Sequence, residues 1–178
     1  MNVFILGVAR QGSHQLLASS YMEKELKLLG ILPTVLPVGD EAQLKAAIQK
    51  IMLMGGLILS PLTGNAAIDR LLSDQMAKAC GVPLEMNESV FEQIAQRNVK
   101  LTREEVAQLA TLPRGAEVYA LQDNTYPAYQ LDGENIHAIL LPPDPVEQSA
   151  VFLNTVFPTF AQQKKYACES HILRVMDL

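Results

Sequence analysis

The chain has no tryptophan, two cysteines and three histidines. Cys80 and Cys168 are too few and too far apart for a disulfide framework. No C-x-x-C or Cys/His cluster offers a zinc site. This cysteine usage predicts a reducing, cytoplasmic compartment. No apolar run is long enough to cross a bilayer. The opening MNVFILGVARQGSH lacks the basic region and cleavage site of a secretory signal, so no membrane partner is expected. Lys and Arg number 14 against 19 Asp and Glu, for a net charge of −5. That balance excludes a general electrostatic grip on nucleic acid. Low-complexity tracts and internal repeats are also missing.

What is present is an apolar chain. Of 178 residues, 49 % are apolar and 19 % charged, which excludes disorder and suits one packed domain. Asn2–Val8 (NVFILGV) reads as a buried strand, followed by a helix from Ser13 to about Gly30 with Leu17, Tyr21 and Leu28 on one face. Ile31–Val38 is a strand whose two prolines place it near a sheet edge. Asp40 and Gln43 open a helix lined by Leu44, Ala47, Ile48 and Ile51. Gly55-Gly56 breaks it before the strand Leu57–Ser60. The loop Pro61–Asn65 then leads into a helix ending near Ala79. This βαβαβα order predicts an α/β fold of three layers: a mostly parallel sheet with helices on both faces. Further on, Asn87 caps a helix over 88–97. Thr102 and Glu105 form a capping box for a helix near 103–111, ended by Pro113. Glu117–Leu121 and Ala128–Leu131 are strands. Asp132-Gly133 signals a hairpin, Ile136–Leu141 is its return strand, and Val146–Phe157 is helical. His171–Val175 reads as a last strand.

Several strings in this order resemble the molybdopterin-binding domain family, in the version found at the N-terminus of the competence/damage-inducible protein A (CinA) family. They are Tyr21–Asp40 with its terminal VGD, Leu57–Gly81, the exit Gly81-Val82-Pro83-Leu84, LPRGAEV at 112–118, LPPDPVE at 141–147 and ILRV at 172–175. The resemblance implies one such domain over residues 1–166, with a tail or strand over 167–178. It also implies binding of a nucleotide- or pterin-phosphate-type ligand, or metal-assisted pyrophosphate hydrolysis of ADP-ribose.

The departures fall in the site. The family loop T-x-G-G-x-G-P-T-x-D-D is here Ser60-Pro61-Leu62-Thr63-Gly64-Asn65-Ala66-Ala67-Ile68-Asp69-Arg70. The first-strand GDE becomes Gly7-Val8-Ala9. The later G-T-A-P-G keeps only Thr125 and Pro127, and Pro143 replaces a glycine. Glycines let backbone N–H groups approach an anion at a helix N-terminus. Leu62 is expected to crowd such an anion, and Pro143 lacks a donor. Arg70 adds positive charge. A small anionic ligand is therefore expected where Ser60, Thr63, Gly64, Asn65 and Arg70 meet Thr125, Pro127 and Pro142. Asp69 and Glu147 are the carboxylates left to hold a divalent metal. The bland alternative is a capped strand-to-helix turn with surface carboxylates. That alternative describes a structural or protein-interaction module, and a molybdenum-cofactor biosynthesis protein is a third reading. Arg10, Ser13 and His14 follow the first strand, where a site would lie. His137 reads as a packed or edge residue and Cys80 as a small buried hydrophobe. The apolar stretch Val151–Phe160 and seven methionines predict a homo-oligomer.

Overall fold

The computed structural model describes residues 2–8, 15–97, 100–119 and 127–158. The strand β1 (Val3–Val8) is followed by α1 (Gln15–Leu28), β2 (Thr34–Val38), α2 (Glu41–Met54), β3 (Gly56–Pro61) and α3 (Ala66–Cys80). Then come β4 (Leu84–Met86), α4 (Glu88–Arg97), α5 (Arg103–Leu109) and β5 (Thr111–Pro113). β6 (Glu117–Val118), β7 (Tyr129–Asp132), β8 (Ile136–Leu141) and α6 (Pro145–Val151) complete the order. A π-helical turn, Phe152–Val156, extends α6.

Six strands form one sheet in the order β2-β1-β3-β8-β7-β6. β2, β1, β3 and β8 run parallel, β7 runs antiparallel to β8, and β6 runs antiparallel to β7. The proline-bearing β2 lies at the edge, where a missing N–H costs no ladder bond.

Strand alternation builds the three layers. Phe4, Leu6, Ile58, Ala138 and Leu140 pack with Leu44, Ile48 and Ile51 of α2 and with Leu72 and Met76 of α3. Their neighbours Val3, Ile5, Leu57, Leu59, Ile139 and Leu141 pack on the other side. There they meet Met22 and Leu26 of α1 and Phe152 and Val156 beyond α6. Among the described residues, no helix is long and apolar enough to cross a membrane.

Three expectations change. Leu28 is 67 % exposed, because α1 meets the sheet through the i, i+4 pair Met22 and Leu26 and ends at Leu28. The helix expected to run to 111 stops at Leu109. Thr111–Pro113 instead pairs antiparallel with Leu84–Met86 in a second, two-stranded sheet. The hairpin expected at Asp132-Gly133 is present, joining β7 to the antiparallel β8, and Gly133 takes no positive φ there. Its glycine is needed for proximity: a Cβ there would stand 2.9 Å from Cys80 Sγ. Phe152 and Val156, expected to supply an oligomer surface, are buried in the chain's own core. Ser13, the boundary at 166/167 and the strand expected at 171–175 lie outside the described residues, and so do the side chain of Leu17 and the oligomer stretch beyond Pro158.

The junction of α2 and β3 gives a direct test. Gly56 has φ 144°, and a Cβ there would overlap the backbone oxygen of Asn2. The Gly56→Ala variant should lose at least about 2 kcal/mol of stability. Urea unfolding checks this: the midpoint falls while the slope stays unchanged.

Candidate functional site

The parallel strands β1, β3 and β8 bring their carboxyl ends to one edge of the sheet, where an open α/β sheet places its ligands. β3 leaves the sheet at Pro61, and the Leu62 N–H donates to the Leu141 carbonyl at 2.9 Å. The loop then turns through Gly64, which has φ 78° and faces the Pro143 ring. Asn65 caps α3: its side-chain oxygen accepts from the N–H groups of Ala67 (3.1 Å) and Ile68 (3.3 Å).

Asp69, in the first turn of α3, is buried and aims its carboxylate back under this loop. One oxygen accepts from the Thr63 N–H at 2.7 Å and from the Thr63 hydroxyl at 2.8 Å. The other accepts from the Gly64 N–H at 3.0 Å. The Thr63 hydroxyl also accepts from the Asn65 N–H at 3.0 Å. Burial pushes the Asp69 carboxyl above its ordinary value, and the bonds from Thr63 and Gly64 oppose that push. The surface-carboxylate alternative for Asp69 is thus corrected. Leu62, expected to crowd a ligand, is 3 % exposed and packs in the core. It continues the alternation of Ile58 and Ser60, so its side chain follows the strand's inner face.

Beside the loop lies a cavity of about 370 Å³. α3 contributes Ala66, Ala67, Asp69, Arg70 and Ser73. Gln108 and Leu109 of α5, Thr111 and Leu112 of β5, and Pro127 and Tyr129 add to its lining, as does Leu62. The Ser73 and Tyr129 hydroxyls are 2.7 Å apart and buried. Burial holds the Tyr129 phenol well above its ordinary range, hence protonated.

Of the residues singled out from sequence, Asp69, Arg70 and Pro127 line this cavity. Thr63, Gly64 and Asn65 form the adjoining turn. Ser60 is fully buried on β3, and its hydroxyl has no partner among the described residues. Pro142 is buried at the end of β8. Glu147 stands in the first turn of α6, where its N–H donates to the Asp144 capping carboxylate at 3.1 Å. Arg10, Ser13, His14, Thr125 and Cys168 lie outside the described residues. His137 is exposed and pairs with Asp132 at 2.8 Å. Cys80 is half-buried, and burial raises its thiol pKa. The lining residues that sequence reasoning missed are Ala66, Ala67, Ser73, Gln108, Leu109, Thr111, Leu112 and Tyr129. Ser73 had a signal, since it sits four residues after Asp69 and therefore on the same helix face.

This is the architecture of the molybdopterin-binding type, an α/β sheet with its loop-and-helix site at the strand ends. Within that class the chain is similar to CinA proteins. It is 24 % identical over 165 residues to a protein of Thermoanaerobacter pseudethanolicus provisionally named competence-damage inducible. It is 26 % identical over 166 residues to one so named from Clostridium botulinum. Each alignment covers 90 % of this chain and 40 % of the relative, so the chain spans about two-fifths of the length of the curated relatives it matches. Among solved structures, CinA from Thermoplasma acidophilum, titled as of unknown function, superposes with a TM-score of 0.68 at 18 % identity. That match covers 86 % of this chain and 94 % of the other. The molybdopterin biosynthesis protein Mog from Mycobacterium ulcerans gives 0.50 at 14 %, covering 90 % and 97 %. These likenesses establish the fold. No family model matches the chain.

Removing the buried carboxylate tests its role. Asp69→Ala leaves two loop N–H groups without their acceptor, and should cost about 2–3 kcal/mol at pH 7. The folded pKa of Asp69 lies above its unfolded value. Its own contribution is therefore full below the ordinary carboxylate range and declines as pH rises through the shifted value. Denaturant unfolding should thus show the gap between wild type and Asp69→Ala narrowing from acid toward neutral pH.

Proposed function

We propose that this CinA-like domain binds a flat heterocycle carrying phosphate, of the nucleotide or pterin type, and hydrolyses it weakly or not at all. The observation that carries this reading is Arg70. Its exposed guanidinium lines the cavity and makes no ion pair among the described residues. The loop donors that would otherwise meet an anion are already engaged. Thr63 and Gly64 donate to Asp69, and Ala67 and Ile68 donate to Asn65. Arg70 is then the charge left for a phosphate, and a guanidinium suits it geometrically.

The resembled family's hydrolysis would need a divalent metal held by carboxylates. The residues present do not fit one. Both Asp69 oxygens already accept hydrogen bonds. No group of three or more His, Cys, Asp or Glu side chains that could hold an ion occurs among the described residues. A role in molybdenum-cofactor biosynthesis would rest on the likeness to Mog, which concerns the fold alone.

Calorimetry with ADP-ribose, nucleoside monophosphates and a pterin phosphate checks this reading. Binding should persist in EDTA, and Arg70→Gln should weaken it about tenfold, or 1.4 kcal/mol. Rapid metal-dependent turnover of ADP-ribose by the unmodified chain would sink the proposal.

A second reading, association through apolar surface, is favoured by Leu32 and Leu53, which are 80 % and 90 % exposed. Leu32 precedes β2, which among the described residues has a strand neighbour on one side only, as edge strands that recruit another chain do. Copies of the chain are expected to associate. Light scattering should give a mass above that of the monomer at high micromolar concentration, and Leu32→Lys with Leu53→Lys should lower it.

A further inference from the structure

We infer that the cavity between α3 and the α5–β5 segment is the seat of the ligand's ring, and that the buried Ser73 and Tyr129 hydroxyls read an acceptor on the ring edge. This rests on the phosphate-binding reading above and adds a site to it. Three observations carry it.

The first is size and surface. At about 370 Å³ the cavity falls within the range of small-molecule sites, roughly 300–1,000 Å³. Ala66 and Ala67 keep the α3 side open because their side chains end at Cβ. Leu109 and Leu112 give it apolar surface from the other side. A flat ring fills such a space with little loss of rotational freedom.

The second is a count of hydroxyl protons. Ser73 and Tyr129 together carry two. Their mutual bond at 2.7 Å uses one. The other has no acceptor among the described residues, although Ser73 is 5 % and Tyr129 1 % exposed. A buried donor without an acceptor is costly. Both residues line the cavity, so a ring nitrogen or exocyclic oxygen placed there would complete the pair. An aliphatic ligand would leave that proton unmatched.

The third is charge placement. The polar groups of Ser73, Tyr129, Thr111 and Gln108 are neutral, whereas Arg70 is an exposed cation on the same lining. The Asp69 charge is turned toward the loop donors. A neutral ring with an anionic substituent matches this division.

The test uses GMP, AMP and 6-hydroxymethylpterin phosphate as ring-bearing probes, with inorganic phosphate as the ringless control. Ala67→Leu adds three carbons to the cavity lining from an exposed helical position that tolerates leucine. The paired variant Ser73→Ala, Tyr129→Phe removes both hydroxyls together, which is far milder for folding than removing one. Melting temperatures confirm that each variant folds. Each should weaken the ring-bearing probes about tenfold or more while leaving inorganic phosphate within twofold. Ring-bearing affinities unchanged in both folded variants would overturn the ring seat and leave the Arg70 reading standing. Equal weakening of inorganic phosphate would overturn it too, by marking a general disturbance of the site. If the wild-type chain binds none of the probes at millimolar concentration, both readings fall.

Discussion

One buried carboxylate organises the edge of the sheet where the site lies. Asp69 fixes the turn between β3 and α3 by accepting from Thr63 twice and from Gly64 once. Charge-assisted bonds of this kind are roughly twice as strong as neutral ones. They are also intramolecular, so an incoming anion would have to displace a partner already held in place. The turn therefore keeps its shape, and its donors face inward. Any ligand charge must be met from elsewhere, which is why the position of Arg70 weighs so heavily.

The sheet supplies the rest of the geometry at its antiparallel end. β3 and β8 finish at the same edge and lead into α3 and α6. β7 runs opposite to β8 with Tyr129 beside Leu140, so the first residue of β7 lies at that edge, within a hydrogen bond of Ser73. Buried tyrosine needs a partner for its hydroxyl, and Ser73 meets that need from the same helix that carries Asp69 and Arg70. The short β4–β5 sheet then brings Thr111 and Leu112 to the cavity from outside the main sheet.

The long elements were legible because their signals are local. Continuous apolar runs gave β1, β3 and β8. Caps at Asp40, Asn65, Asn87 and Thr102 placed four helix starts. The β4–β5 pair was not legible, since three residues show no period and the partners are 27 apart at their centres. In the site, Asp69 and Arg70 could be singled out, but the direction of Asp69 could not. Its partners are backbone N–H groups five and six residues earlier, and only the folded turn brings them near. Leu62 was more readable than it first looks. Positions 58, 60 and 62 share one face of a strand, which turns Leu62 into the core beside the cavity it helps to line. Tyr129 and Ser73 are 56 residues apart, and no spacing rule joins them.

The loop substitutions have a physical logic of their own. Where the resembled family has a glycine pair, this chain has Leu62 and Thr63. Glycines there would leave backbone donors open to an anion and would contribute no side chain to the core. Leu62 instead buries its side chain, a contribution of about 1.5–3 kcal/mol. Thr63 adds a hydroxyl bond to a carboxylate, about 1.5–3 kcal/mol more. Against a total stability of roughly 5–15 kcal/mol for a domain, these are large terms. The same positions cannot serve both ends: a turn closed on Asp69 and anchored in the core is a poor phosphate cradle. Stability gained at such positions commonly lowers the activity they once supported. The fold survives that exchange because its core alternates along β1, β3 and β8 and does not depend on the loop. The ligand contacts proposed above accordingly lie on the flank of α3, where Arg70, Ser73 and the open alanines stand.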